Sequence, residues 1–74
     1  MLFRSGVLNA RRNNYVSIDV VNACFEHKEC LLGAASEYGQ SSEIKRGTQF
    51  CKLLSIEMKF TCYAELWHSF SKNL

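Results

Sequence analysis

The chain of 74 residues has no proline and only four glycines. Because these residues most often interrupt helices and strands, few positions mark where one element ends and the next begins. Clusters of arginine, asparagine, glycine and serine take that role at residues 11–14 and 39–42, and Gly47 supplies a third break. Without an internal repeat or a low-complexity tract, residues 1–74 are interpreted as a single small domain.

Long apolar stretches are also missing. No run approaches the roughly 20 residues of a membrane helix, and Arg4, Ser5 and Gly6 interrupt the apolar stretch that a secretory signal would need. We therefore expect no membrane association and an intracellular, cytoplasmic location in which the cysteines stay reduced as thiols. A mitochondrial location is the alternative, because the first 18 residues carry three arginines and no acidic residue.

The composition is that of a folded domain with a small core. Apolar residues make up 47% of the chain and charged residues 22%, which argues against disorder. A core of this size contributes only about 3–5 kcal/mol, yet the chain has five Phe, three Tyr and one Trp to place. This surplus of aromatic side chains predicts an interface. The net charge of +2 is too small to indicate nucleic-acid binding by itself.

The clearest element is an amphipathic helix over residues 20–38. On a helical wheel its apolar residues fall within one arc, with most polar residues opposite. The arc holds Val20, Val21, Cys24, Phe25, Leu31, Leu32, Ala35 and Tyr38. Asp19 is a plausible N-cap and Gly39 a plausible residue just beyond the helix C-terminus.

The flanking segments favour strands and one further helix. Residues 15–20 alternate between polar and apolar types, and residues 2–9 could pair with them in a hairpin through the turn at 11–14. Residues 55–61 alternate strictly, which predicts a strand over 50–60. Residues 62–72 then form a C-terminal helix capped by Thr61.

These elements predict an α+β fold. A small antiparallel or mixed sheet, made of the N-terminal hairpin and one later strand, is covered by the central amphipathic helix and the C-terminal helix. The alternative is a mostly α-helical hairpin, because no Gly, Pro or Asn occurs between residues 48 and 72 and such unbroken stretches usually indicate helix.

The cysteines carry the only metal-like pattern. Cys24, His27 and Cys30 are ligand types that zinc prefers, but on a continuous helix the three side chains spread over about a third of the circumference. We therefore predict no metal and no cofactor, with these three residues as weak candidates. A disulfide framework is disfavoured, because the spacing from Cys24 to Cys30 does not match that from Cys51 to Cys62.

The sequence has no recognisable catalytic motif, so we predict that the protein is not an enzyme. Its basic residues and its aromatic residues each support a binding hypothesis. Arg11 and Arg12, with Lys45 and Arg46, are the candidates for contacts with nucleic acid.

The aromatic hypothesis concerns the C-terminal helix. There Tyr63, Leu66, Trp67 and Phe70 share one face, and residues of this kind dominate protein interfaces. We therefore predict a non-enzymatic protein-interaction module that acts as a regulator, inhibitor or accessory subunit, with a homodimer as one form of that interaction. A small nucleic-acid-binding regulator is the second hypothesis, and a zinc- or disulfide-stabilised subunit of a larger assembly is the third.

Overall fold

The computed structural model describes residues 2–25 and 27–72, and this part of the chain is helical, with no strand. Five helices follow one another along the chain. They are α1 (Leu2–Arg12), α2 (Ser17–Cys24), α3 (Lys28–Gln40), α4 (Ile44–Lys52) and α5 (Ile56–Lys72). The predicted α+β fold is therefore wrong. The mostly helical alternative has the correct class, although the described residues form five helices instead of one hairpin.

The N-terminal hairpin is replaced by α1, a turn and the beginning of α2. The turn falls where the sequence predicted it, and Asn14 and Tyr15 have positive φ values of 52° and 61°. The predicted strand over 15–20 is wrong because Ser17–Cys24 form α2, and the three residues expected on one face of the strand, Val16, Ile18 and Val20, do not share an environment. Val20 is buried in the core, whereas Ile18 is exposed.

The helix predicted over residues 20–38 is divided into α2 and α3. The division is at Phe25, whose φ of 55° lies in the left-handed region. Asp19 lies inside α2 and Gly39 inside α3, so neither residue caps a helix as predicted. Phe25 itself is exposed, because the chain changes direction there and removes it from the apolar arc.

Helix α3 is the centre of the fold. Helices α1 and α5 both pack against it and, within the described residues, make no contact with each other. Glycine permits the close approach of α1, since a Cβ atom on Gly6 would clash with the carbonyl group of Cys30 and one on Gly33 with the backbone of Phe3. Glu37, which the helical wheel placed on the polar side, is buried beneath Arg11 of α1, and Ser36 is buried against Ser69 of α5.

The strand predicted over residues 50–60 is wrong as well. These residues form the end of α4, a corner at 53–55 and the beginning of α5. The alternation has a helical explanation: Met58 is buried, whereas Ile56 and Phe60 lie one turn apart on an exposed side of α5. The helix predicted over 62–72 is confirmed as part of α5, and Thr61 lies inside that helix instead of capping it.

The thiol prediction is also wrong, because the four cysteines form two disulfides, Cys24–Cys30 and Cys51–Cys62. The first joins the end of α2 to α3, and the second joins α4 to α5. Each bond links two consecutive helices across a corner, so the two spacings had no reason to match. The cytoplasmic location stays a prediction, but it has lost the support of reduced cysteines.

The core lies where α3, α4 and α5 meet. Tyr38 is fully buried there, and its ring centroid lies 5.1 Å from that of Phe50 and 5.6 Å from that of Tyr15. Both disulfides border this cluster, and all four of their cysteines are buried. Among the described residues, no helix combines the length and the apolar character that crossing a bilayer would require.

Candidate functional site

A row of large apolar side chains runs along α5. We call it the α5 stripe, and it consists of Ile56, Phe60, Tyr63, Trp67 and Phe70. The spacing between successive members is four, three, four and three residues, which keeps them on one side of a helix. The same spacing defines the contact line of a helix that packs lengthwise against another helix.

The α5 stripe is exposed along much of its length. Ile56 is 74% exposed, Phe60 71% and Trp67 48%, and Tyr63 and Phe70 are half-buried. The rings of Trp67 and Phe70 meet edge to face with their centroids 5.8 Å apart. This geometry is favourable for aromatic pairs.

A different side of α5 packs into the core. Met58, Cys62, Leu66 and Ser69 are buried there. The fit is close, since a Cβ atom on Gly39 would collide with the Leu66 carbonyl oxygen and one on Gly47 with the Leu66 side chain. The stripe is thus additional to the core-facing side of α5.

The predicted aromatic face is therefore divided between core and surface. Tyr63, Trp67 and Phe70 belong to the stripe, but Leu66 is completely buried. Ile56 and Phe60 were missed because the sequence assigned them to a strand. Starting the helix at residue 56 would have revealed the four-three spacing, which is the sequence signal for this surface.

The two ends of α5 carry opposite charges. Glu57 lies in the first turn and Lys72 in the last turn. Each charge is favourably placed with respect to the helix dipole. Neither charge borders the stripe, because 3.6 residues per turn place Glu57 about 100° and Lys72 about 160° away from it around the axis of α5.

The basic residues predicted to contact nucleic acid differ in whether their side chains already have a partner. The guanidinium of Arg11 donates from Nε to Glu37 at 3.0 Å and from Nη2 at 3.3 Å. Arg46 donates to the backbone carbonyl of Asn14 at 2.8 Å, while Arg12 and Lys45 are exposed. The positive charge of Arg11 is therefore already opposed by a carboxylate.

The buried carboxylate of Glu37 accepts hydrogen bonds from three side chains. Burial alone would raise the pKa of its carboxyl, but hydrogen bonds from Arg11, Tyr15 and Ser41 outweigh burial and hold that pKa below its ordinary value. The hydroxyl groups of Tyr15 and Ser41 each donate at 2.7 Å. This network joins the end of α1 and the following turn to α3, which is a structural role.

The three weak candidates for metal ligands, Cys24, His27 and Cys30, have other positions and partners in the structure. Cys24 and Cys30 are bonded to each other, and His27 is an exposed residue directly before α3. Over the described ranges, no group of three or more His, Cys, Asp or Glu side chains is placed to hold a metal ion.

A second exposed apolar area lies away from α5. Val16 and Ile18 line a shallow groove between the beginning of α2 and α4, together with Leu53. Ile18 is 53% exposed, and α2 does not pack against α5 in the described part of the chain. Ile18 therefore serves as a matched position for testing the stripe.

Comparison with known proteins does not identify a relative of this chain. No protein-family model matches the chain, and no significant match is found among curated proteins or solved structures.

Proposed function

We propose that this chain is a non-enzymatic protein-interaction module that docks on its partner through the α5 stripe. The observation that carries the proposal is the exposure of Ile56, Phe60 and Trp67 in one row on a helix whose other side already packs into the core. A contiguous apolar surface of this kind is uncommon on a monomeric protein and usually marks a contact with another protein.

The chemistry of the stripe also supports the proposal. Aromatic side chains, Trp and Tyr above all, contribute most of the binding free energy at interfaces. Tyr63 and Trp67 lie at the centre of the stripe with Phe residues on both sides. A helix presenting such a row binds in the manner of helix-in-groove or helix-on-helix recognition. Action as a regulator, inhibitor or accessory subunit is the corresponding proposal for the biological role.

The nucleic-acid hypothesis has weaker support. Arg11 is paired with Glu37, and binding to phosphates needs cationic side chains that are free to displace counterions. Arg12, Lys45 and Arg46 remain as candidates, and binding by them would weaken steeply as salt concentration rises.

The test compares immobilised wild type with Phe60→Glu and with Ile18→Glu in capture from an extract of the native cells. Both substitutions place a carboxylate on an exposed apolar position, but only Phe60 belongs to the stripe. Quantitative mass spectrometry should show proteins captured by wild type and by Ile18→Glu and lost from Phe60→Glu. Equal capture by all three chains would contradict the proposal.

A further inference from the structure

We propose that the Cys24–Cys30 disulfide is a modification site for a small thiol, which forms a mixed disulfide with Cys24 and releases Cys30 as a thiolate. The bond joins the last residue of α2 to the first turn of α3. Neither cysteine belongs to α5, so this site is independent of the stripe and of the proposed docking on it.

A cleft of about 300 Å³ reaches this disulfide. It lies between α1 and the corner at which α2 ends and α3 begins, and both Cys24 and Cys30 line it. Small-molecule sites start at about this volume. Cys24 is 1% exposed and Cys30 3%, whereas Cys51 and Cys62 are completely buried. The cleft therefore gives a small thiol a route to the first disulfide, while the second disulfide has no exposed surface.

The cleft suits a negatively charged reactant. Apart from the cysteines, the ionisable side chains that line it are Arg12 and His27, and no acidic side chain of the described residues does so. The reacting form of a thiol is the thiolate. A basic wall without acidic residues raises the local concentration of such an anion.

Asn9 distinguishes the two sulfur atoms of the bond. Its side-chain amide nitrogen donates a hydrogen bond to Sγ of Cys30 at 3.6 Å. Hydrogen bonds to an ionised acceptor are stronger than those to a neutral one. Asn9 thus stabilises the negative charge that develops on Cys30 as the disulfide breaks.

The helix ends favour the same direction of reaction. Cys30 is the third residue of α3, where the helix dipole stabilises a negative charge, and Cys24 is the last residue of α2, where the dipole opposes one. In the second disulfide, Cys51 lies in the last turn of α4 and Cys62 lies beyond the first turn of α5. Exchange is faster when the leaving sulfur carries negative charge well, so Cys30 is the sulfur that leaves.

Thiol exchange at this site has two steps. The incoming thiolate attacks Sγ of Cys24, a bond forms between those two sulfur atoms, and the electron pair of the old disulfide goes to Cys30. A second thiolate then attacks the sulfur of the bound small thiol, which departs as its own disulfide and leaves Cys24 as a thiolate. The first step involves no net oxidation, and the two steps together transfer two electrons from two thiols to the protein disulfide.

Reduced glutathione, a small thiol with a net negative charge, is the probe for this site. The oxidised full chain is incubated with it and quenched at intervals with N-ethylmaleimide, which alkylates free thiols. Trypsin cleaves after Lys28 and so separates Cys24 from Cys30, and mass spectrometry of the peptides then assigns each label. We expect glutathione on Cys24 and maleimide on Cys30, with this bond opening at least about tenfold faster than Cys51–Cys62.

Three results would overturn the proposal. Glutathione on Cys30 instead of Cys24 would reverse the assigned direction. Equal opening of the two disulfides, or no reaction of Cys24–Cys30 in the folded chain, would remove the site.

Asn9→Ala tests the hydrogen bond to the leaving sulfur. Asn13→Ala is the matched control, because the Asn13 amide donates to a backbone carbonyl at 2.8 Å instead of to a sulfur atom. Asn9→Ala should slow the opening of Cys24–Cys30 by about fivefold, the effect of one hydrogen bond, and Asn13→Ala should leave it within about twofold. A purely structural role of Asn9 has the opposite sign, since a loosened fold exposes both disulfides to the thiol. Faster opening in Asn9→Ala would therefore contradict its role at the leaving sulfur.

Discussion

Arg11 and Glu37 form a two-point ion pair between an exposed guanidinium and a buried carboxylate. The Arg11 side chain is 59% exposed and that of Glu37 only 3%, with Nε and Oε2 3.0 Å apart. The pair is not isolated, since Tyr15 and Ser41 donate to the same carboxylate. These donors favour the ionised form of Glu37 in the folded protein.

Acidification should destabilise the domain through Glu37. Its folded-state pKa lies below the ordinary value of 4.5, so its contribution to stability is complete above that value and is lost as pH falls through the folded pKa. Urea unfolding of wild type and Glu37→Gln at pH 7 and pH 3 measures this. The variant should be less stable at pH 7 by about 1–3 kcal/mol and should lose less stability on acidification. Parallel losses in both proteins would contradict this assignment.

Reduction of the disulfides should lower the free energy of unfolding. Each bond closes a short segment, with 6 residues of separation for Cys24–Cys30 and 11 for Cys51–Cys62. Loops of this size contribute about 2–3 kcal/mol each by restricting the unfolded chain. Thermal unfolding with and without reductant, and of a Cys51→Ala/Cys62→Ala double variant, tests the effect. An unchanged Tm under reducing conditions would exclude a stabilising role.

Gly6→Ala should destabilise the domain, which is the opposite of the usual effect in a helix. Replacing glycine by alanine in a helix interior ordinarily stabilises it by about 1 kcal/mol. At Gly6 the new methyl group would clash with the Cys30 carbonyl oxygen, so α1 must move away from α3. Overpacking of this kind costs about 1–3 kcal/mol or more. A stabilised variant in denaturant unfolding would refute the close contact of α1 with α3.

Leu66→Ala and Phe60→Ala should have very different effects on folding. Leu66 is completely buried, and truncation of such a leucine costs about 2–5 kcal/mol. Phe60 is 71% exposed, so its truncation should change the stability of the monomer by less than about 0.5 kcal/mol. Unfolding should be measured in dilute solution, where self-association does not contribute. Similar costs for both variants would mean that the stripe belongs to the core.

The sequence by itself determined several features of this protein. The asparagine cluster located the turn after α1, because asparagine tolerates the positive φ that Asn14 adopts. The helical period of residues 62–72 identified the C-terminal part of α5. The excess of aromatic residues indicated that some would remain at the surface, and Phe60 and Trp67 do so.

The boundaries of the five helices in the described residues could not be predicted from the sequence. Residues 55–61 alternate because they pass from a corner into a helix with two apolar sides, and a short segment of that kind has the same pattern as a strand. The chain changes direction at Phe25, which adopts the left-handed conformation although it is not glycine. The sequence therefore contains no turn residue that would indicate the end of α2.

Tertiary packing alone decided which residues of α3 and α5 are buried. Gly6 and Gly33 let the α1 and α3 backbones touch, and the polar side of α3 is buried by both neighbours, Glu37 beneath α1 and Ser36 against α5. The two sides of α5 became distinguishable only when contact with Gly39 and Gly47 assigned Leu66 to the core. A helical period shows which residues share a side of a helix, but the neighbouring helices determine which side is covered.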